Sequence, residues 1–336
     1  MVKLKIPVFL IMFGLLITTQ ANTAETIECE TQTLNKIVFR SDRAEYEGDV
    51  IRDDNVYMMN QDGTELVQLT NNQAEDRDSS LSPVKTSNRN KIAFSSNREG
   101  NWNIYLMEIE GEISGPPAQR VTLCPPFCDS DQEQPDWAPD GEGVVFQSNI
   151  AGSKDIYTMK LDGTNLLRLT NSPYDDQGPQ WSPDGNKIAY VNDHFGNRDI
   201  WIIEKLKDKW GKIRRLTCET GDDANPSWHP DEGSILYGAF EMGKAHIIKI
   251  TNAGNCSCDN IDYNSCQTEQ LTWGNFFDRS PVYSPNGRSI AFSSNRFDNF
   301  DIWRMKGNGK RMIPLTINTG YDSGPDWGKV KVPVVP

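Results

Sequence analysis

Hydrophobic residues in this chain fall into short runs, each cut off by turn residues, and the order of runs and turns repeats. The clearest copy is GPQWSPDGNKIAYVNDHFGNRDIWIIEKLKDKWGKIRRLT, residues 178–217. Its runs predict four strands, over 179–181, 187–190, 199–203 and 214–217, because Ile, Trp and other β-branched or aromatic residues suit a pleated, packed surface. Ser182-Pro183-Asp184-Gly185 turns the chain between the first two, since Pro presets one turn torsion and Gly takes a torsion other residues avoid. The same grammar precedes this copy as QPDWAPDG, GVVFQSN and KDIYTMKLDGTNLLRLT, and it recurs as SPVYSPNGRSIAFSSNRFDNFDIWRMKGNGKRMIPLT. A period of about 40 to 50 residues marks stacked modules such as propeller blades. The predicted fold is therefore all-β, a ring of four-stranded antiparallel blades whose faces cover one another.

Counted from the second strand, the units begin at Lys36, Lys91, Val144, Lys187, Ser234 and Ser289, which makes six. Trp137, Trp181, Trp228 and Trp327 mark the first strand of four units, with Tyr283 and Leu81 in the other two places. The unit at Lys36 has no first strand ahead of it. The segment GPDWG, residues 324–328, supplies that strand from the far end, so the C-terminus is expected to complete the first blade, close the ring and cover its edges. Residues 1–24 read as a secretory signal peptide, with Lys3 and Lys5 ahead of an apolar run and small residues at Ala21 and Ala24. The run is shorter than the roughly 20 residues that span a bilayer. Residues 26–28 lack the small and apolar residues that a lipid attachment at Cys29 requires. The expected organisation is a signal peptide at 1–24, a short extension at 25–35, one propeller at 36–330 and a tail at 331–336.

These units resemble the propeller repeats of the TolB-type family over roughly residues 36–330. The resemblance rests on P-x-W-S-P-D-G followed by K-I-A-[FY], then S-N-R-x-x-N-x-D-I-[YW], then D-G-T and L-T. It implies a six-bladed propeller in a periplasmic setting, without the α/β domain that precedes the propeller in TolB. Similar propellers precede the catalytic domain of prolyl peptidases, yet no G-x-S-x-G elbow is found here. Pectin-degrading lyases with related repeats use a His-lined metal site. The three histidines here, His194, His229 and His246, fall at an upper loop, a lower turn and a third strand, and are not expected to converge.

Antiparallel order places the SPDG and DGT turns on a lower face. The second-to-third loops and blade connections, where units differ most, form the upper face, which is where repeat proteins carry function. Two sets of upper residues stand out. Three residues before each first-strand Pro, or its equivalent, stand Asp76, Asp176, Asp223, Asp278 and Asp322, with Gln132 beside Asp131 in the sixth place. Set in a ring near the channel mouth, these acids would bind a ligand or a hard cation. The alternative is that each accepts backbone N–H bonds within its own turn. The second set is Arg43, Arg98, Ile150, His194, Glu241 and Arg296. Blades six, one and two adjoin in a closed ring, so Arg296, Arg43 and Arg98 form a basic crescent that could meet carboxylates of an asymmetric partner. The alternative is that each Arg pairs with a ring Asp and holds the blades together. The loop at 44–54 adds five acids over this face.

Seven cysteines in an exported chain predict disulfides with one thiol left over. Sorting them by face predicts Cys124 with Cys128, Cys266 with either Cys256 or Cys258, and Cys218 free; Cys29 enters from below. A zinc site from the last three is the lesser reading without a nearby His, and Asn255-Cys256-Ser257 is a glycosylation sequon only in a eukaryotic source. Removing the signal takes away two lysines and moves the formal charge from -13 to -15. Nucleic acid and anionic membrane surfaces are thereby disfavoured as partners. The sequence points to an exported, monomeric, non-catalytic module that binds a protein or peptide of the envelope or extracellular space, with no cofactor beyond a cation at the channel mouth. The alternatives are a hydrolase or lyase with an acidic, cation-binding channel, or a carbohydrate binder that stacks sugars on Trp210, Trp273 and Phe276.

Overall fold

A computed structural model describes residues 31–43, 54–84, 90–109, 119–121, 129–207, 209–231, 233–253, 256–258 and 266–334. Its strands form six four-stranded antiparallel sheets. Each sheet meanders in sequence order except the first, where β24 (Asp322–Pro333) lies beside β1 (Thr31–Ser41). The two pair from Thr31 opposite Pro333 to Ser41 opposite Asp322, with one bulge between Val38 and Arg40. The ring is thus closed by the C-terminal strand, as the missing first strand required. The ladder runs on past the expected limits of 36 and 330, because residues 31–35 find partners in residues 329–333. The signal peptide, Cys29, Cys124, Cys128 and residues 44–53 lie outside the described residues.

Both faces of every sheet are covered, so the second strands read as unbroken apolar runs rather than alternating ones. Ile37, Val38 and Phe39 are all fully buried. Ile37 and Phe39 pack with Trp327 against Ala291 and Ile302 of blade six. Val38 points the other way, into a cluster with Leu81, Ile92 and Phe94 of blade two. Alternate residues of one strand therefore glue a blade to its two neighbours. The first-strand tryptophans add hydrogen bonds across the seams: the Trp137 indole N–H donates to the Ser80 carbonyl at 3.0 Å, and that of Trp228 to the Gln180 carbonyl at 3.2 Å.

The first strands line the central channel, and each carries one residue in the left-handed region two positions after the ring site. These are Asp78, Gln134, Gly178, Asn225, Ser280 and Gly324, with φ between 49° and 62°. A bulge follows from each, seen as the register shift between Arg77 and Ser80 or between Gln177 and Gln180. The bulge turns backbone N–H groups toward the preceding blade: Gln134 donates to Ser95 Oγ at 2.9 Å and Gly178 to Gln147 Oε1 at 3.0 Å. On the lower face the motif turns hold themselves together. Asp62 Oδ1 accepts from the Thr64 hydroxyl at 2.6 Å, and Asp184 Oδ1 from the Asn186 N–H at 2.9 Å. Gly63, at φ 88°, cannot be replaced freely, since an added Cβ would stand 2.7 Å from the Leu315 carbonyl oxygen.

The cysteines correct part of the face argument. Cys256 pairs with Cys266, one of the two expected partners, but Cys218 is not free: it is bonded to Cys258. The insertion that follows β18 (Lys244–Thr251) does not stay at the lower face. Arg214, on the outer strand of blade four, donates to the carbonyls of Ala253 and Cys256, and the Cys258 N–H donates to the Arg215 carbonyl. Those bonds draw the insertion up along the neighbouring blade until Cys258 meets Cys218, with Cα atoms 6.1 Å apart. Closure by β24 predicts that Trp327→Ala, which empties a buried site at the last seam, costs about 3–5 kcal/mol in urea unfolding. Trp273→Ala, at a side chain 67% exposed, is expected to cost under about 0.5 kcal/mol.

Candidate functional site

The five ring acids do not open onto the channel. Asp76, Asp176, Asp223, Asp278 and Asp322 have at most 1% of their surface exposed, and each is held by side chains rather than by backbone N–H groups of its own turn. In three blades the holder is the arginine of the upper loop. Arg43 Nη2 meets Asp322 at 2.7 Å, Arg98 Nη2 meets Asp76 at 3.0 Å, and Arg296 pairs with Asp278. Both partners belong to one blade, so each pair ties a first strand to the loop after the second strand and does not bridge blades. The guanidiniums also lie over aromatic faces, Arg43 at 4.8 Å from the Tyr57 ring centre, Arg98 at 4.4 Å from Tyr105 and Arg296 at 4.6 Å from Phe276. Where the arginine is missing, a neutral donor replaces it: Asn192 Nδ2 donates to Asp176 at 2.6 Å. Without a cation, burial drives the carboxyl pKa up, to about 6 for Asp176 and about 7 for Asp223.

The channel itself is a cavity of about 500 Å³, walled by the six first strands. One residue past each ring site, the chain turns a side chain into it, and these are Arg77, Glu133, Gln177, Ala224, Arg279 and Ser323. Position in the pleat explains this, since neighbours along a strand face opposite ways. Arg40 enters from a second strand, and Lys154 and Arg198 from the loops just before third strands, against Asp78 and Asp326 as further acids. Cations outnumber acids in the lining, although the chain as a whole is strongly acidic. Glu133 is shared by Arg77 at 2.6 Å and Lys154 at 2.9 Å. Burial raises the carboxyl pKa of Asp326 to about 6 and that of Asp136, on the first strand of blade three, to about 7, and the charge of Asp326 adds to the penalty on Asp136. Among the described residues no group of three or more His, Cys, Asp and Glu side chains is placed to share a metal ion.

Around the mouth the upper loops expose apolar side chains, of which the sequence had marked only Ile150, as a place where the loop arginine is missing. Ile150 is 44% exposed, Phe195 54% and Met242 90%, and Tyr174 stands beside them. The His194 ring lies between Tyr174, at 4.3 Å, and Phe195, at 4.6 Å, which makes a continuous aromatic patch between blades three and four. The only sequence signal was their place in the variable loops. His229 instead sits on the lower side against Asp231 Oδ1, and His246 lies half-buried on a third strand, so the histidines do not meet. Trp210 is not in a loop: it lies on β15 (Lys209–Arg215), packed 5.3 Å from Trp181. Trp273 is open to solvent and Phe276 lies beneath Arg296, so those three rings share no stacking surface.

Residues 128–257 match the family model of the TolB beta propeller domain. The Tol-Pal system protein TolB of Ruthia magnifica is 32% identical over 90 residues, which is 27% of this chain and only a fifth of that relative's length. Among solved structures, TolB from Acinetobacter baumannii aligns with a TM-score of 0.71 at 20% identity, over 88% of this chain and 66% of the other. The putative TolB from Agrobacterium tumefaciens aligns at 0.63 and 17% identity, over 90% of this chain and the whole of the other. Over residues 128–257 the repeat read from the sequence matches the TolB propeller model, and the fold of the chain is a six-bladed propeller like those of the two solved structures.

Two outcomes follow. Arg98→Ala leaves Asp76 buried without its cation and is expected to cost about 3–5 kcal/mol, whereas Arg98→Met with Asp76→Leu recovers most of the loss in the same denaturant titration. Raised carboxyl pKa values mean that the folded state binds protons the unfolded chain has released. Their contribution is therefore full below the unfolded Asp value near 4 and lost as pH rises through the folded values of about 6 to 7. Thermal midpoints should fall between about pH 4 and pH 7, with a smaller fall in Asp136→Asn.

Proposed function

We infer that this TolB-type propeller is an exported binding module that grips a protein or peptide partner through its upper face and channel mouth. The observation that carries the reading is the exposed apolar rim of Ile150, Tyr174, Phe195 and Met242 around a polar channel. Large exposed apolar side chains grouped on one face, with aromatics at their centre, have the composition of interaction hot spots. The pairing of cysteines fits an oxidising compartment, in line with the signal peptide expected at 1–24. The net negative charge disfavours nucleic acid and anionic lipid as partners.

Arg43, Arg98 and Arg296 serve this function by holding the upper loops of blades one, two and six in place. Their charges are matched by Asp322, Asp76 and Asp278, and their side chains are 16 to 26% exposed, so they offer edges rather than free cations to a partner. The cationic surplus of the lining disfavours a cation-dependent enzyme at the channel.

The test is capture from the envelope or culture medium of the source organism, with Tyr174→Ala/Phe195→Ala compared with the wild type. Leu166→Ala/Leu206→Ala, exposed on the lower side, is the control. Loss of two central aromatics is expected to weaken binding by at least about tenfold, near 1.4 kcal/mol or more, with the control unchanged. Equal capture by all three proteins would remove the upper face from the account.

A further inference from the structure

Four of the five cations that line the channel have an acid. Arg40 Nη1 meets Asp54 at 3.0 Å, Arg77 and Lys154 share Glu133, and Arg198 meets Asp222 at 2.9 Å. Arg279 is the exception: among the described residues no carboxylate lies within ion-pair distance of it, and its buried Nε has no hydrogen-bond partner. It is not a loose surface side chain. Its guanidinium lies 4.1 Å from the Phe300 ring centre and 5.5 Å from that of Tyr321, and Tyr321 also faces Arg40 at 5.6 Å. Two aromatic rings and β20 (Asp278–Tyr283) therefore hold the fork in one place beside a second cation. Arg40 is pinned as well, through Nε to the Ser323 hydroxyl at 2.7 Å.

Stacking offsets part of the cost of keeping Arg279 there, but rings do not satisfy guanidinium N–H groups. Burial and the neighbouring Arg40 pull the Arg279 pKa down to about 10, so it stays charged at neutral pH while poorly solvated. A fixed, desolvated guanidinium with unused donors at the wall of a water-accessible cavity is built to receive an oxyanion.

We propose that Arg279, with Arg40 beside it, forms a carboxylate-binding subsite inside the channel mouth. The planar fork of Arg279 takes the carboxylate, Arg40 adds charge from the adjoining blade, and Phe300 and Tyr321 set the orientation. Either a free small carboxylate or the acidic side chain of a peptide supplies the group. The subsite does not depend on the partner-binding reading above, because a small carboxylate alone would fill it.

The experiment is a titration of the ¹⁵N-labelled protein, following the Arg Nε–Hε resonances at constant ionic strength. The probes are succinate, a blocked tetraglutamate peptide and, as a control for bulk charge, chloride. The Arg279 resonance should move and saturate below about 10 mM succinate or peptide, and not with chloride. Arg279→Gln should weaken calorimetric affinity for either probe by at least about tenfold, and Arg279→Lys, which keeps the charge and loses the fork, should fall between. Tighter binding of the peptide identifies an acidic segment as the source, and equal binding identifies the free carboxylate. An Arg279 resonance that both probes leave in place, or that chloride moves equally, overturns the proposal on the wild-type protein alone, whether or not the variants fold.

Discussion

The structure depends on the pairing of β24 with β1. A propeller blade buries its two faces only against neighbours, so an open array of six would leave apolar surface at both ends. Here the last strand enters the first sheet and brings Trp327 into the seam with Ala291 and Ile302. No disulfide among the described residues spans that seam; the two that are described brace blades four and five. Hydrogen bonds and side-chain packing carry the closure, and every other seam inherits its geometry from a ring that is shut.

Closure also fixes what the channel and upper face can present. First strands point inward, and a left-handed residue in each produces a bulge that bonds to the preceding blade in several places. Below the upper loops, buried acids find partners that differ from blade to blade: arginine in blades six, one and two, Asn192 in blade four. That difference makes one side of the ring ion-paired and the other side dependent on protonated or neutrally bonded carboxyls. The exposed aromatic patch of Tyr174, His194 and Phe195 lies on the latter side. A ring with six-fold architecture thus carries an asymmetric face, which is what recognition of an irregular partner needs.

The fold was legible because its signals are local and repeated. Turn motifs, strand-length apolar runs and the missing first strand together specified blade number, order and closure. The acids and arginines were found by position, but their exposure was not. Whether Asp76 opens to the channel or turns into its own blade depends on a bulge two residues later, set by the left-handed torsion of Asp78, and no turn motif announces it. Arg77 and Arg279, one step from the marked aspartates, were passed over for the same reason, although they are the side chains that reach the cavity. Cys218 was misassigned because an insertion can climb a neighbouring blade, a tertiary contact made through Arg214 that strand direction alone does not contain.

The central claim is that binding belongs to the upper face and channel mouth. Hydrogen–deuterium exchange of the protein, free and bound to its captured partner, tests it most directly. The account predicts slowed exchange in the upper loops at residues 149–153, 172–175 and 193–197 and in the bulged first strands, with the lower turns at 61–64 and 182–186 unchanged. Protection confined to the lower turns or the outer strands, with the upper loops exchanging as in the free protein, would contradict it.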